Sequence, residues 1–159
     1  MLQEIDEELC LAGRAEAESA ISRLMRQGRP AFVLTVLAAG VPRINEQYGY
    51  SAGDRVLADI ARRLANAAGP SRELFRWSAT SFLIVSRSLS GIRKLSAIAG
   101  ATTAVFAIWP QDQSRALFDR IDDYIVSRLA CCEAPNLTTV EPACTIQMPP
   151  APGTQSPIF

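Results

Sequence analysis

Ile44-Asn-Glu-Gln-Tyr-Gly-Tyr-Ser-Ala-Gly-Asp54 is the stretch on which the reading of this chain turns. Pro42, just ahead of it, can open a short helix reaching Tyr48, and Gly49 stops that helix. Ser51 is a good N-cap for a second helix, with Asp54 three positions on, near the positive end of its dipole. Val56, Leu57, Ile60, Ala61 and Leu64 then recur at helical spacing and predict an amphipathic helix over 52–67, ended by Gly69 and Pro70. Upstream, Ala31-Phe-Val-Leu-Thr-Val-Leu-Ala38 is a continuous apolar run rich in β-branched residues, the pattern of a central strand covered on both faces. A buried strand running straight into two helices is a β-α-α beginning.

Residues 4–27 are rich in Ala, Glu, Arg and Leu and read as a helix, with Gly13 a candidate break between a leader and the helix proper. Downstream of Pro70, strands are expected at about 73–77 and 81–86, joined through Ser78-Ala-Thr80 as a hairpin. A short helix over 90–99 and a strand over 101–109 follow. Ser114 is the expected cap of a last helix carrying Leu117, Phe118, Ile121, Ile125 and Leu129 on its buried side. Leu137-Thr-Thr-Val140 could add an edge strand. From Glu141 the chain is rich in Pro, Thr, Gln and Ala without periodicity and reads as a disordered tail. The order β-α-α-β-β-α-β-α-(β) is that of an α/β (α+β) sandwich of ferredoxin-like type, a central antiparallel sheet flanked by helices. The domain reading is a linker helix over 1–28, a globular unit over 29–140 and the tail over 141–159.

Composition narrows the chemistry. The 159 residues suit one domain, and 48% hydrophobic with 20% charged residues suits a folded globule. Sixteen basic residues balance sixteen acidic ones, so no net field draws the chain to nucleic acid, which is not an expected partner. There is no histidine, which excludes His-based acid–base catalysis, Ser-His-Asp and Cys-His nucleophiles and the commonest metal ligand. Cys10, Cys131, Cys132 and Cys144 form no C-x-x-C pair and read as free thiols in a reducing cytoplasm. No apolar run approaches a membrane span, and the acidic start does not resemble a signal peptide, so the expected location is cytoplasmic.

The central stretch and its flanks resemble the GGDEF family, the diguanylate cyclase domain. The family pattern D-x-D-x-F-K-x-I-N-D-x-x-G-H-x-x-G-D is met, in register, by Leu37-Ala-Ala-Gly-Val-Pro-Arg-Ile-Asn-Glu-Gln-Tyr-Gly-Tyr-Ser-Ala-Gly-Asp54. The hairpin pattern R-x-G-G-D-E-F is met by Arg76-Trp-Ser-Ala-Thr-Ser-Phe82. Ala107-Ile-Trp-Pro110 and Leu117-Phe-Asp-Arg-Ile-Asp122 are similar to the family's later strand and last helix, and Asp6 to Arg14 is a faint version of D-x-L-T-G-L-P-N-R. The resemblance covers roughly residues 6–140, with a shorter connection than usual between Phe82 and Thr102, and implies the nucleotide-cyclase palm fold.

In the family, two metal-bound, GTP-loaded domains meet and each ribose 3′-hydroxyl attacks the partner's α-phosphate. The metal ligands are an Asp at the end of the first strand and an acid in the third place of the hairpin motif. Those places hold Leu37 and Thr80 here; Ser78 and Ala79 stand for the two glycines, Ser81 for the usual Glu, and Phe82 is kept. Pro42 replaces the phosphate-facing Lys. The resemblance therefore implies no catalytic residue, no metal and no cofactor. It also implies a vestigial nucleotide site at Asn45 and Asp54, the family's guanine-reading places, with GTP the candidate ligand. A structural alternative stands beside it: Asp54 serving only the helix start and Asn45 bonding only local backbone. The family's R-x-x-D inhibition site would fall on Gly69 and Arg72, which lack its Arg and Asp in register. Arg76 and Arg72 are expected in solvated surface roles, as are Asp122 and Asp123, while Trp77 and Trp109 are expected to pack.

The expectation is a catalytically silent GGDEF-like signalling or scaffolding module in bacterial cyclic-di-GMP signalling, with a protein partner and a candidate homodimer through the N-terminal helix. The alternatives are a GTP-binding allosteric sensor and, less favoured, an active cyclase or an unrelated ferredoxin-like domain.

Overall fold

A computed structural model describes residues 7, 11–69, 73–132 and 144–147, with Cys132 and 144–147 described by backbone alone. The elements are α1 (Arg14–Arg26), β1 (Ala31–Leu37), α2 (Val41–Tyr48), α3 (Tyr50–Ala68), β2 (Glu73–Ser78), β3 (Ser81–Ser86), α4 (Leu89–Ala99), β4 (Thr102–Ile108), α5 (Ser114–Cys132) and β5 (Cys144–Gln147). The sheet order is β2-β3-β1-β4-β5. The first four strands pair antiparallel with one another, and β5 runs parallel to β4.

The central place of β1 explains its unbroken apolar run. Ala31, Val33 and Leu37 join a core with Ala17, Ile21 and Leu24 of α1 and Leu117, Phe118 and Ile121 of α5. Leu34 and Val36 point the other way, into a core with Leu57, Ile60, Ala61 and Leu64 of α3 and Ile92 and Leu95 of α4. Because side chains alternate along a strand, an all-apolar strand is stable only if both faces are covered. Each fully buried large side chain contributes roughly 1.5–3 kcal/mol. The result is the expected antiparallel sheet flanked by two helical layers.

Several expectations are corrected in detail. Glu7 is helical but residues 11–13 are not, so Gly13 does mark a break, and Ala12 instead forms a parallel bridge to Phe75. Ahead of the boundary expected at residue 28, α1 lays five buried side chains into the core. Ser51 caps nothing. Gly49, at φ 86°, is the N-cap of α3, so the helix starts at Tyr50 and Asp54 falls beyond its first turn. Such a φ is open to glycine at little cost, and one residue thereby ends α2 and begins α3. Ser114 is the first helical residue of α5 and not its cap; Gln113 offers the carbonyl to Leu117. Four residues of the expected tail, Cys144–Gln147, form β5. The strand expected at Leu137–Val140 lies outside the described residues, as do Cys10 and Arg72. No helix among the described residues is long and apolar enough to cross a membrane.

Candidate functional site

The end of β1 and the β2–β3 turn meet at one end of the sheet. Leu37 pairs with Ser81 on one side and Thr102 on the other, and the Ala38 amide donates to the Thr80 carbonyl at 2.9 Å. Residues far apart in sequence, Leu37 and the 78–82 hairpin, are thus brought together as the resemblance implies.

The side chains at the family's motif places there are neutral, and the two serines bond each other. Leu37 is fully buried in the same core as Trp77 and Leu83. Ser81 is fully buried too, its Oγ 2.5 Å from Ser78 Oγ, while the Thr80 amide faces Ser78 Oγ at 3.4 Å. Phe82 is buried on the opposite face of the sheet, and Ala79 is exposed at the tip. Arg76 does not have the solvated role expected of it. Its Nε donates to Ser78 O and its Nη2 to Ala79 O, both at 2.9 Å, with the guanidinium 4.8 Å over the Phe82 ring.

This donor set, one hydrocarbon side chain and three hydroxyls, does not fit magnesium, which binds through carboxylate, phosphate and water oxygens in octahedral array. Among the described residues, no group of three or more His, Cys, Asp or Glu could hold a metal ion.

The α2–α3 junction is different. Asn45 is wedged against Gly53: a Cβ built on Gly53 would lie 1.9 Å from Asn45 Oδ1 and 3.1 Å from Val41 Cγ1. The two helices approach this closely only because position 53 has no side chain. Asn45 Oδ1 is buried without a hydrogen-bond partner, so it does not bond local backbone. Asp54, half-buried and next to Gly53, does not cap α3, whose start is Gly49. Neither structural role open to these two residues from sequence is filled. Beside them Tyr48 and Tyr50 are 67% and 80% exposed.

A third cluster escaped the sequence reading. Asp122 is partly exposed but not a free surface carboxylate; it receives a two-pronged ion pair from Arg14 at 3.1 and 2.7 Å and the Trp77 indole N–H at 2.8 Å. Arg14 lies 4.1 Å over the Trp77 ring and also donates to Glu18 at 2.9 Å. The Asp122 hydrogen bond raises the Arg14 pKa above its ordinary value, against partial desolvation. Trp77 is buried, as expected, and packs on Phe118. Spacing on α5 could not have found this cluster, because Arg14 and Asp122 lie 108 residues apart. Asp123 is exposed as expected, and Cys131 is a free, exposed thiol. A polar depression of about 520 Å³ between α1 and the hairpin strands, lined by Arg23, Gln27, Glu73 and Arg87, lies at the far end of the sheet.

Fold and hairpin together define a nucleotide-cyclase-like palm domain. A family model described as "Diguanylate cyclase, GGDEF domain" matches residues 11–122, and the chain belongs to the GGDEF family. The chain is 30% identical over 99 residues to diguanylate cyclase DgcN of Escherichia coli K12, a match covering 60% of this chain and 24% of that protein. It therefore spans about a quarter of that relative. Among solved structures, diguanylate cyclase SiaD of Pseudomonas aeruginosa, in complex with its activator SiaC, superposes with a TM-score of 0.67 at 14% identity, over 86% of this chain and 59% of that one. The GGDEF domain of DgcB from Caulobacter crescentus, in complex with c-di-GMP, gives 0.64 at 13% identity, over 86% and 91%. Likeness at this identity shows the fold, in agreement with the palm expected from the resemblance.

Proposed function

We propose that this GGDEF domain, related to the diguanylate cyclases of cyclic-di-GMP signalling, is catalytically silent and acts in the cytoplasm as a binding or scaffolding module. One observation carries the reading: at the family's metal places stand a fully buried Leu37 and a turn whose Ser78 and Ser81 hydroxyls bond each other. Phosphoryl transfer between two triphosphates needs divalent cations to offset charge at the reacting phosphates, and carboxylates to hold them. Leu37 offers no oxygen, and Thr80, Ser78 and Ser81 offer only neutral ones. Purified protein incubated with GTP and magnesium or manganese, followed by chromatography for cyclic di-GMP, tests this; the expected result is no product, and product above background overturns it.

The working surface of such a module is open to a protein partner. SiaD is solved with its protein activator, which supports a partner here by analogy. A second copy is the other candidate partner, through α1 and the chain before it.

A second reading rests on Asn45 and Asp54. A buried amide oxygen without a donor, beside a carboxylate that caps nothing, suits recognition of guanine, whose N1–H and exocyclic amine are donors. GTP bound there would order the α2–α3 junction and alter a partner's activity. A thermal shift with GTP and GDP, absent with ATP and lost in Asp54→Ala, is the expected result; a nucleotide response unchanged in Asp54→Ala contradicts it.

A further inference from the structure

We propose that the chain entering the domain is fastened to the β2–β3 turn through one node, so that displacing residues 11–14 displaces the turn. The inference is independent of whether the domain is silent.

Two short routes carry the coupling. In the first, the Ala12 carbonyl accepts from the Arg76 amide at 2.8 Å, and the Arg76 side chain holds the turn carbonyls of Ser78 and Ala79. In the second, Arg14 grips Asp122, and Asp122 holds the indole of Trp77, over which Arg14 also lies. The routes land on consecutive residues of β2, at the point where its pairing with β3 shifts register between Arg76 and Ser78. Two residues later the turn begins. Its other attachment is the Thr80 carbonyl on the Ala38 amide, at the end of β1.

The node is built to move. The Arg14 and Asp122 side chains are 44% and 37% exposed, so the ion pair is bathed in water and gives way more easily than the core beneath it. Leu11 and Ala12 also pack, partly buried, at the margins of the two cores, but the backbone pairing of the entry segment is Ala12–Phe75, an isolated bridge and not a ladder. A pull on the chain ahead of Arg14 therefore reaches β2 through the Ala12 carbonyl and the Arg14 guanidinium.

Residue-resolved hydrogen exchange on the full chain tests this with Arg14→Ala and the milder Arg14→Lys and Asp122→Asn. Two amides report: Arg76, bonded to the entry segment, and Ala38, bonded to the turn. The expected result is about tenfold faster exchange at both in Arg14→Ala, smaller accelerations in the milder variants, and unchanged amides in the β1–β4 ladder. If Arg76 accelerates while Ala38 does not, the segment is fastened but uncoupled from the turn, and the proposal fails. Equal acceleration throughout the sheet overturns it as well, since the node would then serve only global stability. Should Arg14→Ala not fold, the same criteria apply to Arg14→Lys and Asp122→Asn.

Discussion

Two regions of this domain, a short distance apart along β1 and α2, handle polarity in opposite ways. At the β2–β3 turn the polar groups pair with one another: Ser78 bonds Ser81, Arg76 bonds two carbonyls, and Leu37 adds only hydrocarbon. At the α2–α3 junction the Asn45 oxygen is buried and unpartnered, and Asp54 caps nothing. A site relieved of ligand binding can settle into an internally satisfied structure, whereas one kept for a ligand leaves its recognition atoms unsatisfied until the ligand arrives. The contrast is the physical basis for proposing Asn45 and Asp54 as a nucleotide site.

The contrast can be broken by experiment, most forcefully at Leu37. Leu37→Asp places an unpaired carboxylate in the core beneath α1 and α5 and should cost about 3–5 kcal/mol in denaturant unfolding. A loss below about 1 kcal/mol, or recovery of stability on adding magnesium, would mean that the turn still accommodates a metal.

Gly53→Ala comes next. Alanine favours a helix interior by about 1 kcal/mol over glycine, but here the methyl meets the Asn45 carboxamide, an overpacking worth about 1–3 kcal/mol. Net destabilisation is expected in the parent and none when Asn45→Ser is made alongside. Equal effects in the two backgrounds would show that Asn45 is not wedged where the contact places it.

Ser78→Ala leaves the buried Ser81 hydroxyl alone and should cost about 1–2 kcal/mol, while Ser78→Ala with Ser81→Ala should be close to neutral. A double variant as unstable as the single one would deny that the two hydroxyls satisfy each other. Thr35, the other residue among those described with a buried unpartnered oxygen, supplies the scale for Asn45. It lies mid-β1 between Leu83 and Ala104, so Thr35→Val should raise stability by about 1 kcal/mol. Thermal unfolding of that variant at or below the parent would indicate that a lone buried oxygen is cheap in this domain, and would weaken the inference drawn from Asn45.

Local patterns carried most of the fold. The run at 31–38 announces a strand buried on both faces because no other setting stabilises it, and Gly69-Pro70 and Ser78–Thr80 punctuate the hairpin by turn chemistry. β5 was not legible, since Cys144–Gln147 is short, lies among prolines, and exists through pairing with β4. The start of α3 was misplaced because Ser51 is a generic cap, whereas the backbone reverses at Gly49, whose positive φ is invisible in the letters. At the site, Leu37 and the hairpin could be matched through the family pattern, but the Gly53–Asn45 wedge and the Arg14–Asp122–Trp77 node are contacts between distant elements that no spacing reveals.

The difference between the two regions is tested most directly by a thermal-shift titration with GTP, run with and without magnesium. A ligand at a hundred times its Kd adds about 2.7 kcal/mol, a shift readily seen in a domain of this size. The account predicts that magnesium leaves the response to GTP unchanged, because the base recognition proposed for Asn45 and Asp54 needs no metal and the neutral oxygens of the turn do not suit one. A GTP shift that appears only with magnesium would contradict it and return the β2–β3 turn to the list of metal sites.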